Sequence, residues 1–187
     1  MRENVDVLPA TPERWDDLTE IFTGRGDPGK CWCAYWYLSA KDFKAGWGNH
    51  QAVLEDRVRD GVEPGVIAYL EGDPAAWASV APRTEFDRLV RNKQALAVVD
   101  DRPVWSLNCL VVRRDFRGRG LMRPLIRGAV AFAVAKGAPC VEAYPVDYNG
   151  KPLVWDLYRG TIPALTDVGF VEVARRSPRQ PIFRYWP

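Results

Sequence analysis

The sequence predicts an α/β domain of the α+β kind, with helices flanking a mixed, mostly antiparallel central sheet. Three observations lead there. Short β-type runs mix with amphipathic helical stretches in the order βα, α, β-hairpin, β, α, β, α, ββ, which is not a regular doubly wound pattern. A length of 187 residues fits a single domain, 1–187. A hydrophobic content of 47% supplies a full core and excludes wholesale disorder.

Val5–Leu8 reads as a first strand, ended by Pro9. Thr11-Pro12 supplies a cap and a first-turn proline, after which Trp15, Leu18, Ile21 and Phe22 fall at helical spacing and Gly24 stops the helix. Residues 24–29 read as a turn-rich loop. Lys30 to Gly48 crowds together Trp32, Tyr35, Trp36, Tyr37, Phe43 and Trp47, and Asn49 to Asp60 reads as a helix with Val53, Leu54 and Val58 on one face and Gly61 as its cap. Val66–Leu70 and Ala75–Ala81 form a hairpin around Glu71-Gly72-Asp73-Pro74. Phe86, Leu89 and Val90 anchor a short helix, and Val104–Val112 is the most strand-like run in the chain. The next helix carries a continuous apolar stripe from Leu121 to Val134 and stops at Gly137 and Pro139; Pro124, tolerable only in a first turn, places its start close to Gly120. Cys140–Tyr144 reads as a buried strand, 145–160 as loop, Pro163–Val168 as a short helix ending at Gly169, and Phe170–Ala174 and Ile182–Trp186 as two final strands.

Composition removes several function classes. The formal net charge is +2, too small to argue for nucleic acid. No apolar run approaches the roughly 18–20 residues that span a bilayer, and the polar N-terminus lacks the apolar stretch of a signal peptide, so neither membrane nor export is expected and the predicted location is cytoplasmic. In that compartment the four cysteines are expected as free thiols. Cys31 and Cys33 have no second ligand pair at zinc spacing, and His50 is the only imidazole, so no metal is expected and a histidine-based triad is limited to that one residue. The sequence leaves self-association into a homodimer open.

The chemistry concentrates where the 104–112 strand runs through Arg117-Gly118-Arg119-Gly120-Leu121-Met122 into a helix. The first amides of a helix point outward along its axis and favour negative charge. Glycines at 118 and 120 let backbone wrap an anion closely, and arginines at 113, 114, 117, 119, 123 and 127 surround the turn. The spacing is neither that of a P-loop nor of a dinucleotide fingerprint. A phosphate site and a plain glycine turn among solvated arginines are the two readings that physics alone allows.

Leu110-Val111-Val112 followed by Arg117-Gly118-Arg119-Gly120 resembles motif A of the GNAT superfamily of N-acetyltransferases, commonly Arg/Gln-x-x-Gly-x-Gly/Ala after a Leu-x-Val strand. Met122 stands where Gly or Ala is usual, and Val168-Gly169-Phe170 resembles the Gly-Phe that closes the superfamily's last helix. The resemblance covers about residues 64–187 and the N-terminal third by topology only. It implies a GNAT-like acyl-CoA N-acyltransferase fold and acetyl-CoA as cosubstrate. It further implies that the backbone of Leu110, Val111 and Val112 pairs with the pantetheine arm, and that Arg117, Gly118, Arg119, Gly120, Leu121 and Met122 hold the pyrophosphate. The implied activity is acetyl transfer to the primary amine of a small molecule or peptide by direct attack; the alternative is a non-catalytic acyl-CoA-binding regulatory module of the same fold.

Many members carry a tyrosine acid four residues before the closing glycine. Leu165 stands there, and Tyr158 stands at a common asparagine position. Tyr144, Tyr148 and Tyr158 are the local candidates for an acid, with Tyr144 first because it ends the 140–144 strand; a coenzyme A thiol is acidic enough that a water could also serve. Glu142, inside an apolar strand where burial would raise its pKa, is the first candidate for a base, against the plainer reading of a carboxylate paired with arginine. Asn108 and Ser106 share a strand face and could orient a water or the amine, while Cys109 is expected on the opposite face, without a histidine to activate it. The aromatic segment 30–48 is expected to cover the acceptor site, with about half of its rings given over to core. Trp77 and Trp105 are expected in the core.

Overall fold

The computed structural model describes residues 4–24, 29–148 and 150–187; residues 25–28 of the turn-rich loop and Asn149 of the 145–160 loop lie outside the described residues. The elements follow in order. Strand β1 (Val5–Pro9) leads through a 3-10 turn into α1 (Trp15–Thr23), the short α2 (Ala34–Tyr37) and α3 (Ala40–Ala45), and α4 (His50–Arg59). The hairpin β2 (Gly65–Leu70) and β3 (Asp73–Pro82) precedes α5 (Asp87–Arg91), β4 (Trp105–Val112) and α6 (Met122–Ala135). Then come β5 (Val141–Ala143), α7 (Val154–Leu157), α8 (Ile162–Val168), β6 (Val171–Arg175) and β7 (Pro181–Tyr185).

These strands form one seven-stranded sheet in the order β1-β2-β3-β4-β5-β7-β6, and only β4 and β5 run parallel. Alternation along each strand divides the core into two layers. Ile67, Trp77 and Val111 face α1, α2 and α4, where Leu18, Ile21, Phe22 and Leu54 are fully or almost fully buried. Val66, Ala78 and Leu107 face α6, whose Leu125, Ile126 and Ala129 stripe packs on them together with Leu165 of α8. Small residues on that face let α6 approach closely: a Cβ built on Gly128 would stand 2.5 Å from Val7 Cβ of β1.

The aromatic segment divides much as expected. Trp32, Trp36 and Tyr37 are buried, while Tyr35 and Trp47 are exposed. Trp32 stacks on Phe22 with ring centroids 4.7 Å apart. The single histidine is structural in its contacts: His50 meets the carbonyls of Lys30 at 2.7 Å and Phe43 at 2.9 Å and so ties the segment to α4. Trp77 is fully buried, and Trp105 is partly buried against the α6 layer.

Two features of the sheet shape the site. The first is a bulge in β4. Cys109 pairs with Ser79 and Leu107 with Val80, so Asn108 is an extra residue without a counterpart on β3. The second is a parting of strands. β5 pairs with β4 only through Val141, Glu142 and Ala143, opposite Trp105, Ser106 and Leu107; beyond Leu107 the two separate. The sheet is therefore splayed beyond Leu107. The run 145–160, read from the sequence as loop, contains the helix α7, and its Tyr158 carbonyl accepts a hydrogen bond from the Leu110 amide at 2.7 Å.

Candidate active site

The parting opens a cleft of about 360 Å³ beside β4. Leu110 and Val112 form one wall, the turn Arg117, Gly118, Gly120, Leu121 and Met122 another, and Val154, Leu157 and Tyr158 the third. Gly118 and Gly120 have φ of +79° and +75°, in the left-handed region that favours glycine, and a Cβ built on either would meet no atom within 4 Å. The turn is thus both strained for other residues and open on its outer side. Met122 begins α6 with Pro124 in its first turn, so the orphan amides of that helix face the same opening. Arg117 bends back so that its Nε donates to the Val112 carbonyl at 3.0 Å. An apolar trough running into an anion-favouring helix start fits the pantetheine and pyrophosphate of acetyl-CoA, the group the sequence motif implies.

Seven of the nine residues expected to touch that group line the cleft. Val111 turns its side chain into the core on the other face, and Arg119 places its Cζ 5.4 Å from the Phe116 ring instead. The Leu110 amide, expected to pair with pantetheine, is held by Tyr158 of the chain itself.

Next to the cleft, on the α1–α2 side of the sheet, lies a cavity of about 540 Å³. Phe22, Tyr35, Trp36 and Trp155 give it aromatic walls; Asn108, Asp156 and Arg159 give it polarity. Tyr158 lines both spaces. The bulge corrects one expectation from the sequence. Simple alternation puts Asn108 and Cys109 on opposite faces, but the extra residue resets the period, and both line this cavity. Cys31 and Cys33 line it too. Burial pushes the Cys31 thiol up to about 11, with the neighbouring Cys33 adding to the effect, so the thiol is protonated at neutral pH. Asn108 is buried, and neither its Oδ1 nor its Nδ2 has a hydrogen-bond partner among the described residues.

Glu142 and Tyr144 are brought together, but not at either wall. Both are buried. The Tyr144 hydroxyl donates to Glu142 Oε2 at 2.9 Å, receives Arg83 Nη1 at 2.9 Å, and lies 2.7 Å from Ser106 Oγ. Arg184 Nη2 donates to Glu142 Oε1 at 2.7 Å, and its Nη1 donates to Asp100 Oδ2 at 2.8 Å. Burial and the Glu142 carboxylate push the Tyr144 phenol well above its ordinary value. The arginine-paired reading of Glu142 therefore describes its surroundings, with Arg83 and Arg184 as the partners. Tyr148, the third hydroxyl named from the sequence, lines a separate surface pocket with Asp147 and Lys151.

The residues that sequence reasoning passed over are Arg83, buried under β4, and those of α7 and its end, Trp155, Asp156 and Arg159. The signal for α7 was in the chain: Val154, Leu157 and Tyr158 lie at helical spacing directly after Pro152.

A seven-stranded sheet with one parallel pair that parts beside a glycine turn is the framework of an acetyltransferase fold. The chain belongs to the Acetyltransferase (GNAT) family, whose sequence model matches residues 15–159. That match reaches into the N-terminal third, which the short motif did not cover, and stops before the Gly-Phe ending. Among solved structures, a GNAT-family acetyltransferase from Streptococcus agalactiae is 12% identical with a TM-score of 0.58, covering 98% of this chain and 95% of that one. The yncA protein from Salmonella typhimurium, solved with its cofactor acetyl-CoA, is 16% identical with a TM-score of 0.55, covering 97% and 93%. A GCN5-related N-acetyltransferase from Kribbella flavida is 16% identical with a TM-score of 0.51; 91% of this chain matches only 34% of that longer one. No curated protein matches the chain. Among the described residues no helix is long and apolar enough to cross a membrane, and no cluster of His, Cys, Asp and Glu is arranged to hold a metal ion.

Proposed function

We propose that the protein is an N-acetyltransferase that moves an acetyl group from acetyl-CoA to a primary amine of a small molecule or peptide by direct attack. One observation carries the reading: the cleft built for an acyl-CoA adjoins a separate aromatic cavity, and Tyr158 lines both. Bound acetyl-CoA supplies the thioester whose carbonyl carbon the amine attacks. Leu110, Val112 and the 117–122 turn hold it. Asn108 orients the amine through its side-chain oxygen, and residues 30–48 cover the acceptor together with α7. As the nitrogen–carbon bond forms the carbon–sulfur bond breaks; the amine gives up a proton and the thiolate takes one.

Tyr158 is the residue we assign to the thiolate, because it lines both spaces. Tyr144 and Glu142 then act as positioning residues: with Arg83 and Ser106 they fix β4 against β5 directly below the bulge that presents Asn108. Four thiols with no disulfide suit a reducing cytoplasm. The test is thiol release from acetyl-CoA against amino acids, polyamines, aminoglycosides and peptide N-termini. Amine-dependent release supports the reading. Tight CoA binding with no release for any amine would favour the regulatory module instead.

A further inference from the structure

The acceptor cavity contains a cation whose needs the chain does not meet. Arg159 follows α7 and lines the cavity with Asn108 and Trp36. Its Nε and Nη2 are buried and have no hydrogen-bond partner among the described residues. Its Cζ lies 5.5 Å from the Trp36 ring centroid, so an aromatic face is what the guanidinium rests on. Burial pulls its pKa down, while the surrounding Tyr35, Asp156 and Tyr144 pull it up. Among the described residues the one carboxylate on the same wall, Asp156, already accepts from Arg179 at 3.3 Å. Arg159 thus feels the Asp156 charge without bonding to it, while the carboxylate is engaged by Arg179. A partly buried guanidinium whose Nε and Nη2 are buried without partners is costly unless an anion reaches it, and its planar fork matches a carboxylate.

Asn108 independently points the same way. Its amide is buried in the same cavity with donor and acceptor both unused. A ligand that satisfies both residues must carry an acceptor-rich anionic group and a hydrogen-bond donor. The remaining walls, Phe22, Tyr35, Trp36 and Trp155, ask for apolar or aromatic substance between or beside those groups.

We propose that the acceptor is a carboxylate-bearing amine with an apolar body, of the chemical class of the free apolar α-amino acids, and that Arg159 recognises its carboxylate while Asn108 takes the amine. This rests on the acetyltransferase reading above for the amine's fate, though not for the binding of the anion. Tyr158 separates the cavity from the cleft, so the amine lies on the Asn108–Tyr158 side and the carboxylate on the Arg159 side.

The experiment compares L-phenylalanine and L-methionine with their amides and with phenethylamine, in binding to the CoA-loaded protein by calorimetry and in thiol release from acetyl-CoA. The expected result is binding and turnover of the acids at least ~30-fold better than of the amides. Arg159→Gln should raise the Kd and KM for the acids at least ~10-fold, with the KM for acetyl-CoA unchanged and the preference over amides gone; Arg159→Lys should recover part of it. Equal use of acids, amides and phenethylamine overturns the carboxylate assignment and leaves the N-acetyltransferase intact. Arg159-dependent binding of the acids without any turnover supports the anion site and overturns the acetyl-transfer reading. Absence of binding by either acid to the folded wild-type protein overturns the assignment whatever other amine is turned over.

Discussion

Tyr144 and Tyr158 both belong to the stretch after β4, yet only Tyr158 lines the spaces where acetyl transfer would occur. Tyr158→Phe should therefore lower kcat by at least ~10²-fold, the usual contribution of a positioned acid, with CoA affinity nearly unchanged. Tyr144→Phe should do something different. It removes the hydroxyl that satisfies Glu142, Arg83 and Ser106, so it should cost about 1–3 kcal/mol of stability while kcat changes less than about threefold. A large kcat loss in Tyr144→Phe with normal melting would return the acid role to Tyr144. Gly120 offers the second test at this scale. Gly120→Ala should cost about 1–2 kcal/mol because φ of +75° strains any side chain, although its Cβ would meet nothing. Gly120→Glu adds a carboxylate beside the helix start and should weaken CoA at least ~10²-fold in calorimetry, beyond what Gly120→Ala does.

At the scale of elements, packing of α6 on the sheet depends on small residues. Gly128→Ala should destabilise by about 1–3 kcal/mol because its Cβ would collide with Val7 Cβ and its methyls; Val7→Gly, which removes the opposing Cβ, should couple favourably with it in a double-mutant cycle, whereas Val7→Ala, which keeps that Cβ, should not, as read by thermal or urea melting. This contact was not visible in the sequence, because Gly128 sits in a run that already reads as helix. What the sequence did reveal are the elements whose signals are local. The Leu121–Val134 stripe, the Glu71–Pro74 hairpin and the Gly169 stop, which has φ of +111°, are written in residues adjacent in the chain. The Arg117–Gly120 turn was legible for the same reason. The bulge at Asn108 was not, since a bulge is a mismatch between two strands and neither strand alone records it. Arg83 and Arg184 escaped as well: a buried arginine looks like any surface arginine until its distant partner, Glu142, is placed beside it.

For the molecule as a whole, the buried thiols set a limit on alkaline stability. An unfolded thiol ionises near pH ~8.5–9. In the folded chain burial holds Cys31 up to about 11, and a hydrogen bond with Cys33, together with burial, raises Cys109 as well. Folded values above unfolded ones mean that the contribution is complete below about pH 9 and is lost as pH climbs toward 11. Melting temperature should hold between about pH 7 and 8.5 and then fall. Cys31→Ser should make the first part of that fall shallower. A wild-type Tm that stays level to about pH 10.5 would count against thiols held neutral by the fold.

The parting of β4 and β5 leaves only three residue pairs, Trp105 with Val141, Ser106 with Glu142 and Leu107 with Ala143, as the hydrogen-bonded seam between the two portions of the sheet. Beyond it, β7 and β6 join the rest of the molecule through that seam, the arginine–carboxylate cluster beside it, and the packing of Ile182 and Phe183 in the two core layers. Native-state hydrogen exchange should show a sub-global opening along this line. The cleft is walled by residues from both sides of the same line, β4 on one and 154–158 on the other. Whatever fills it acts as a stitch across the seam, so the amides of β5, β7 and β6 should exchange more slowly with the cleft filled, while those of β1 and β2 keep the pace they had.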